Sequence, residues 1–328
     1  MNTHRCHPES RVGGVLSLLA LALLFHLFGC STAKPGNVAL MAELETGLRA
    51  VAAMEPDEKV RNPDNLAAEF LPPTYWVYGP MSKDFKTSKQ YIHFYRIGAY
   101  YSVNARTKHI DAILQLLARR DLKQVVNIGA ALDSRPYRLG EQMPGVRFFE
   151  IDRPPALAFK QARVKAVLGK IPSNVAFVPL DFHTQALDGA LAKAGYDPAS
   201  QTLFIMEGVT PYLDAAAMDL IMAFIAGHAA PASEVVFDYI LDEVARGDYA
   251  QYPVARYGAV RRANAGEPWK FGIAEDQAAD FASRHGLKLV SDYGPIELAQ
   301  HYLIRSDGRL LGQPTMFVRV LHARVPAK

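Results

Sequence analysis

The sequence predicts an α/β protein built on a doubly wound, mostly parallel sheet of about seven strands, with a helical cap on the N-terminal side of the sheet domain. Three observations carry that expectation. From Leu122 onward, short β-branched runs alternate with helical stretches, as parallel strands joined by crossover helices require. The first run ends in a glycine-led turn, Gly129-Ala130-Ala131, and the next three end at Asp152, Asp181 and Glu207. That puts polar groups on the rim where open α/β sheets bind ligands. The chain has 328 residues, half of them hydrophobic, enough for one large domain with a substantial core.

Taken in order, residues 1–29 read as a leader. Arg5 and Arg11 precede an almost wholly apolar run from Val12 to Phe28, followed by Gly29-Cys30-Ser31; a charged start, an apolar stretch and small residues make an export signal. The segment Leu27-Phe28-Gly29-Cys30 resembles the lipobox of bacterial lipoproteins, although Phe28 is bulkier than the usual occupant. Cys30 is thus the expected lipidation site, and the expected location is the cell envelope through a lipid anchor. An uncleaved signal anchor is the alternative, since such a run just spans a bilayer of roughly 30 Å. A start at Met41 would remove the leader and leave a cytoplasmic protein. Residues 30–37 are small or Lys, Pro and Gly, which suits a tether.

Residues 38–120 form the expected cap. Leu40, Leu44, Leu48 and Val51 recur at helical spacing, Pro56 breaks the pattern, and a further helix is expected over Asn104–Arg119. Residues 121–328 hold the sheet. Strands are expected at Gln124–Ile128, Val146–Ile151, Val175–Val178, Thr202–Met206, Glu234–Phe237, Leu287–Ser291 and Met316–Arg324, the last two as an edge hairpin. A long insertion, residues 241–271, is placed to act as a lid. It interleaves Arg246, Arg256, Arg261 and Arg262 with Tyr249, Tyr252 and Tyr257, and the arginines are expected mainly to solvate a surface face.

Charge and cysteine content narrow the function. The net charge is +3, and the leader supplies part of it through Arg5 and Arg11 against Glu9; no nucleic-acid partner is called for. Both cysteines, Cys6 and Cys30, lie in the leader region. The body therefore has no thiol for a disulfide, a zinc site or a nucleophile, and no metal site is expected.

At the rim, a strand-end acid alone is more often a turn former or helix cap than a ligand group. The joint spacing carries the weight. Asp152, 23 residues beyond Gly129, stands where a carboxylate accepts hydrogen bonds from both hydroxyls of a ribose. Dinucleotide sites need G-x-G-x-x-G, but Ala131 and Ser134 occupy the later glycine positions, and Asp133 would set a negative charge beside a diphosphate. A nucleoside without phosphates escapes both objections. S-adenosylmethionine is such a ligand.

The motifs Arg106-Thr107-x-x-Ile110-Asp111, then Val126-x-Ile128-Gly129-Ala130-Ala131-Leu132-Asp133-Ser134-Arg135-Pro136-Tyr137-Arg138-Leu139, then Phe149-Glu150-Ile151-Asp152-Arg153-Pro154, then Glu207-Gly208-Val209-Thr210-Pro211-Tyr212-Leu213 follow in that order. From about Ala39 to its end the chain resembles the leucine carboxyl methyltransferase family, including its bacterial S-adenosylmethionine-dependent relatives. Arg49-Ala50 and Asn62-Pro63-x-x-x-Ala67 resemble that family's opening helix. The resemblance implies a Rossmann-like methyltransferase fold. It implies that Arg106 pairs with the cofactor carboxylate, Gly129 lines the cofactor, Asp152 holds the ribose, Asp181 and Phe182 flank the adenine, and Glu207 lies near the amino group. Relatives usually carry a second glycine where this chain has Ala131; a positive φ there would strain alanine by more than about 1 kcal/mol.

Methyl transfer from a sulfonium needs donor and acceptor held in line, an effect worth up to about 7–11 kcal/mol, and no dedicated nucleophile. A carboxylate acceptor, small molecule or peptide, is what the resemblance implies, and it is already ionised near neutral pH. A hydroxyl acceptor would call for a base, for which His183 and Tyr212 are the candidates, His183 more simply being a surface residue. Tyr75, Trp76, Tyr78, Tyr91, Phe94, Tyr95, Tyr100 and Tyr101 crowd the cap, as pocket lining or as ordinary packing. Two other functions compete: a non-catalytic envelope lipoprotein retaining the fold as a binding module, and a dinucleotide-dependent oxidoreductase. Because S-adenosylmethionine is made inside cells, an exported enzyme would need a further source of it.

Overall fold

The computed structural model describes residues 40–78, 81–181 and 185–327. The expected leader, tether and Cys30 lie outside that set, as do Phe182 and His183. Among the described residues no helix is long and apolar enough to cross a membrane.

Seven strands, β1 (Gln124–Ile128), β2 (Arg147–Asp152), β3 (Val175–Pro179), β4 (Thr202–Met206), β5 (Glu234–Ile240), β6 (Lys288–Tyr293) and β7 (Val318–Arg324), form one sheet in the order β3-β2-β1-β4-β5-β7-β6. The first five are parallel, and β7 runs antiparallel between β5 and β6. The chain winds outward from β1 through β2 to β3, then returns to the other side of β1 with β4. That reversal opens a crevice at the carboxyl ends of β1 and β4.

Burial explains the layers. Strands β1, β4 and β5 are buried along their whole length, as a parallel sheet covered on both faces requires. Alternate residues serve opposite faces. Val125, Leu203, Ile205 and Val236 pack with Leu48, Ile110 and Leu114 of the cap helices; Val126, Phe204, Met206 and Phe237 pack with Met218, Ile225 and Phe281 behind the sheet.

Two expectations need correction. The last two strands are not a tight hairpin: Gly294 to Phe317, including helix Pro295–Tyr302, separates them. Strand β7, with buried Val320, Leu321 and Ala323, takes the interior position, and β6, which carries exposed Lys288 and a bulge between Leu289 and Ser291, is left as the protected edge. The cap helix expected to start at Asn104 runs from Ile97 to Ala118. Buried Tyr100 and Val103 extend its packed face, and Gly98 lets Thr315 approach, since a Cβ there would lie 2.9 Å from the Thr315 hydroxyl. Arg106 therefore sits in the middle of a long buried helix.

The same helix carries His109, stacked on Tyr293 at 4.8 Å between ring centroids, with Nδ1 3.0 Å from the Tyr302 hydroxyl. Burial, helped by the charges of His322 and His301, lowers its pKa to about 4 from 6.5. Between those values the unfolded chain binds a proton that the fold does not, so stability falls as pH drops from 6.5 toward 4. We expect His109→Phe, which keeps the stack, to remove about 1–2 kcal/mol of that acid-side loss. Urea unfolding of both proteins at pH 7 and pH 4.5 measures it; parallel curves would refute it.

Candidate active site

The crevice holds a cavity of about 280 Å³. Its wall draws on the first described helix, Leu40–Ala52, through Glu45, Thr46 and Arg49; on the turn Gly129–Asp133 after β1; on Asp152 and Asp181 at the ends of β2 and β3; on Glu207 to Val209 and Tyr212 after β4; and on Glu267. Gly129, Asp152, Asp181, Glu207 and Tyr212 are thus brought together. Arg106 stands behind the wall, bonded to two of its carboxylates. Phe182 and His183 lie outside the described residues.

At the glycine turn, backbone conformation and space both dictate the residue. Gly129 has φ 74°, and a Cβ on it would lie 2.3 Å from Val209 Cγ2. Its N–H and that of Ala130 both donate to the Ile151 carbonyl at 2.9 Å, fastening the end of β1 to β2. The Ala131 N–H donates to Asp152 Oδ2 (2.8 Å) and the Arg153 N–H to Oδ1 (2.7 Å). A carboxylate offers about four acceptor sites, so two backbone donors orient Asp152 and leave acceptor capacity for a ligand.

Ala131 has φ 33°, inside the region that glycine tolerates and alanine does not favour. The strain is held in place from below. The Ala130 carbonyl accepts from Lys160 Nζ (3.0 Å), and Lys160 is fully buried and paired with Glu150, which also accepts from the Tyr137 hydroxyl (2.5 Å). Nothing in the motif reading marked Lys160. Its signal was a lysine on the buried stripe of helix Pro154–Leu168, between Leu157 and Val164, where an apolar residue belongs unless a buried acid awaits it. Ala131→Gly relieves left-handed strain of about 1–2 kcal/mol and adds unfolded-state entropy of about 0.4–1 kcal/mol. We expect a net gain of roughly 0.5–1 kcal/mol, read as a higher denaturant midpoint. An unchanged or lower midpoint would show that the turn carries no strain.

Behind the wall lies a buried ion network. Arg106 donates through Nε to Glu207 (2.9 Å), Nη1 to Asp238 (2.6 Å) and Nη2 to Glu45 (2.7 Å). Arg135 reaches Asp111 (2.7 Å), Asp133 (2.6 Å) and Glu207. Arg138 also pairs with Asp111 (2.6 Å), and Arg49 with Asp64 (2.8 Å). Burial alone would raise the Glu207 pKa, but the guanidiniums of Arg135 and Arg106 outweigh it and bring it down to about 2. Asp133, equally buried, is held well below the usual carboxylate range, chiefly by Arg135. For Asp238 burial wins and its pKa stays raised despite Arg106; its Oδ1 accepts the Gly208 N–H at 2.6 Å. The sequence reading missed Glu45, Arg49, Arg135 and Asp238 as site residues, because ion pairs between distant segments leave no local pattern.

The wall presents Glu45, Asp133, Asp152, Asp181, Glu207 and Glu267 against Arg49 and Arg153. It favours a cationic ligand and opposes a diphosphate. Tyr212 ends the short turn Thr210–Tyr212, and its hydroxyl accepts from Arg262 Nε at 3.1 Å. Burial pushes its pKa up to about 12, so near neutral pH it is a hydrogen-bond donor and not the general base expected for a hydroxyl acceptor. The insertion carries helices Asp242–Ala245 and Pro253–Asn264, and the Lys270 N–H donates to the Pro211 carbonyl at 2.7 Å, tying it to the loop after β4. Arg246 and Arg256 are exposed, whereas Arg261 and Arg262 are half-buried.

A doubly wound sheet of this strand order, a glycine turn facing a carboxylate oriented by two backbone donors, and an acidic wall without phosphate glycines suit a nucleoside ligand that carries no diphosphate. The family model for leucine carboxyl methyltransferase matches residues 42–226, more than half of the chain. The chain belongs to that family. A Mycobacteroides abscessus protein provisionally named an S-adenosyl-L-methionine-dependent methyltransferase is 31% identical over 206 residues, 62% of this chain and 64% of that one. A Streptomyces coelicolor protein of the same provisional name is 30% identical over 203 residues, 62% of this chain and 69% of that one. The chain spans less than two thirds of the first relatives it matches, 64% and 60%. Among solved structures, a DUF574 family protein from Streptomyces avermitilis superposes with TM-score 0.58 at 13% identity, covering 88% of this chain and 98% of that one. A provisionally named methyltransferase from Thermobifida fusca gives 0.53 at 16% identity, covering 86% and 98%. Both share the fold.

Proposed function

We propose that this protein transfers a methyl group from S-adenosylmethionine to an oxygen of a carboxylate acceptor, either a small molecule or a peptide. The observation that carries the reading is Asp152, oriented by two backbone N–H groups on an acidic wall beside a glycine that admits no side chain. Bound there, S-adenosylmethionine supplies a methyl group activated on a sulfonium. Asp152 would hold the ribose hydroxyls and Asp181 would border the adenine. Glu207, kept ionised by its two arginines, would take the ammonium. The cofactor carboxylate would meet Arg49 on the wall, with Arg106 behind it.

The state of Tyr212 supports an acceptor that is already ionised. Tyr212 stays protonated near neutral pH, so it can donate to an acceptor oxygen but cannot remove a proton from a hydroxyl. A carboxylate, with a reference pKa of about 4, needs no such removal. The remaining task is alignment, for which helix Leu40–Ala52 and the turn after β4 both supply wall residues.

Calorimetric titration of the full-length chain with S-adenosylmethionine and with NAD tests the cofactor, and a transfer assay over carboxylates and phenols tests the acceptor. Binding of S-adenosylmethionine alone and formation of methyl esters are expected. Preferential NAD binding would overturn the cofactor assignment, and methylation confined to phenols would overturn the acceptor class.

A further inference from the structure

We propose that Arg96 anchors an anionic group of the methyl acceptor, in a subsite formed with Tyr75 and Arg262 beside the cofactor cavity; this rests on the methyltransferase reading above. Arg96 caps the long helix Ile97–Ala118 and is 8% exposed, yet its Nε and Nη2 have no hydrogen-bond partner. Other buried arginines contrast with it: Arg49, Arg106, Arg135 and Arg138 each have a carboxylate within 2.8 Å. Among the described residues, none forms an ion pair with Arg96. Tyr75, 6% exposed, likewise holds a hydroxyl without a partner. Two buried residues with unused donors are a costly arrangement unless a ligand completes it.

The neighbours point the same way. Arg96 feels the positive charges of Arg261 and Arg262, which add to burial in lowering its pKa, opposed by a hydrogen bond to the Tyr91 hydroxyl. Like charges gathered around a buried guanidinium make a receptor for an anion. Arg262 connects it to the chemistry, because its Nε donates to Tyr212, and Tyr212 lines the cofactor cavity.

Benzoate is a suitable probe, offering a carboxylate for Arg96 and a ring for Tyr75. The full-length chain, saturated with S-adenosylhomocysteine, is titrated calorimetrically with benzoate and with uncharged benzamide. Wild type is expected to favour benzoate by at least about tenfold, the scale of one charge-assisted hydrogen bond. Arg96→Gln should lose that preference, Arg96→Lys should regain part of it, and both should bind S-adenosylmethionine as wild type does, which also verifies folding. Equal benzoate binding by wild type and Arg96→Gln, or no preference over benzamide in wild type, overturns the subsite. Failure of wild type to bind S-adenosylmethionine would instead overturn the methyltransferase reading.

Discussion

Arg135→Leu is expected to destabilise the fold by about 3–5 kcal/mol, the cost of leaving buried charges without their partner. Arg135 is 3% exposed and joins Asp111 of the long cap helix, Asp133 of the turn after β1, and Glu207 after β4. Asp111 and Glu207 retain Arg138 and Arg106, but Asp133 loses its principal cation. At about 2–4 °C per kcal/mol for a domain of this size, the melting temperature should fall by roughly 10 °C. The pH dependence gives a second readout. In the wild type the depressed Glu207 pKa contributes stability above 4.5 that is lost as pH falls toward about 2. In the variant the uncompensated acids prefer protonation, so its deficit should be largest at pH 7 and shrink toward pH 4.5. A variant that melts with the wild type at both pH values would show that the network contributes no net stability.

Asp152→Ala is expected to weaken S-adenosylmethionine binding by about a hundredfold, since two hydroxyl bonds to a charged acceptor contribute about 1.5 kcal/mol or more each. The substitution also removes the acceptor of the Ala131 N–H. Asp152→Asn separates the two roles, because one amide oxygen can still accept from Ala131 while the charge is gone. Calorimetry should place it between wild type and alanine. Affinity unchanged in Asp152→Ala would remove the ribose from this carboxylate.

How far the sequence carried these assignments depends on the range of the interaction involved. Strands β1 and β4 are legible to the residue, because a fully buried parallel strand is a short apolar run bounded by turn formers. The carboxylates at the ends of β2, β3 and β4 are legible for the same reason: strand ends are local, and a shared rim follows from parallel winding. Helix Ile97–Ala118 is longer than local spacing shows, because its first turn packs through Gly98 against Thr315, which lies far along the chain. Lys160 went unread, because its partner Glu150 sits inside an apolar strand. Arg96 was no candidate at all, and only its burial without a carboxylate partner draws notice.

The sequence by itself determined the alternation of strands and helices, the glycine at position 129 and the order of the rim acids, all consequences of residue type and spacing along the chain. Only the tertiary structure decided that β7 lies inside the sheet, that Ala131 takes a positive φ, that Arg262 holds the Tyr212 hydroxyl, and that four buried arginines neutralise the acids behind the wall. These outcomes depend on desolvation and on charges brought together from segments far apart in the chain, and neither exists until the chain has folded.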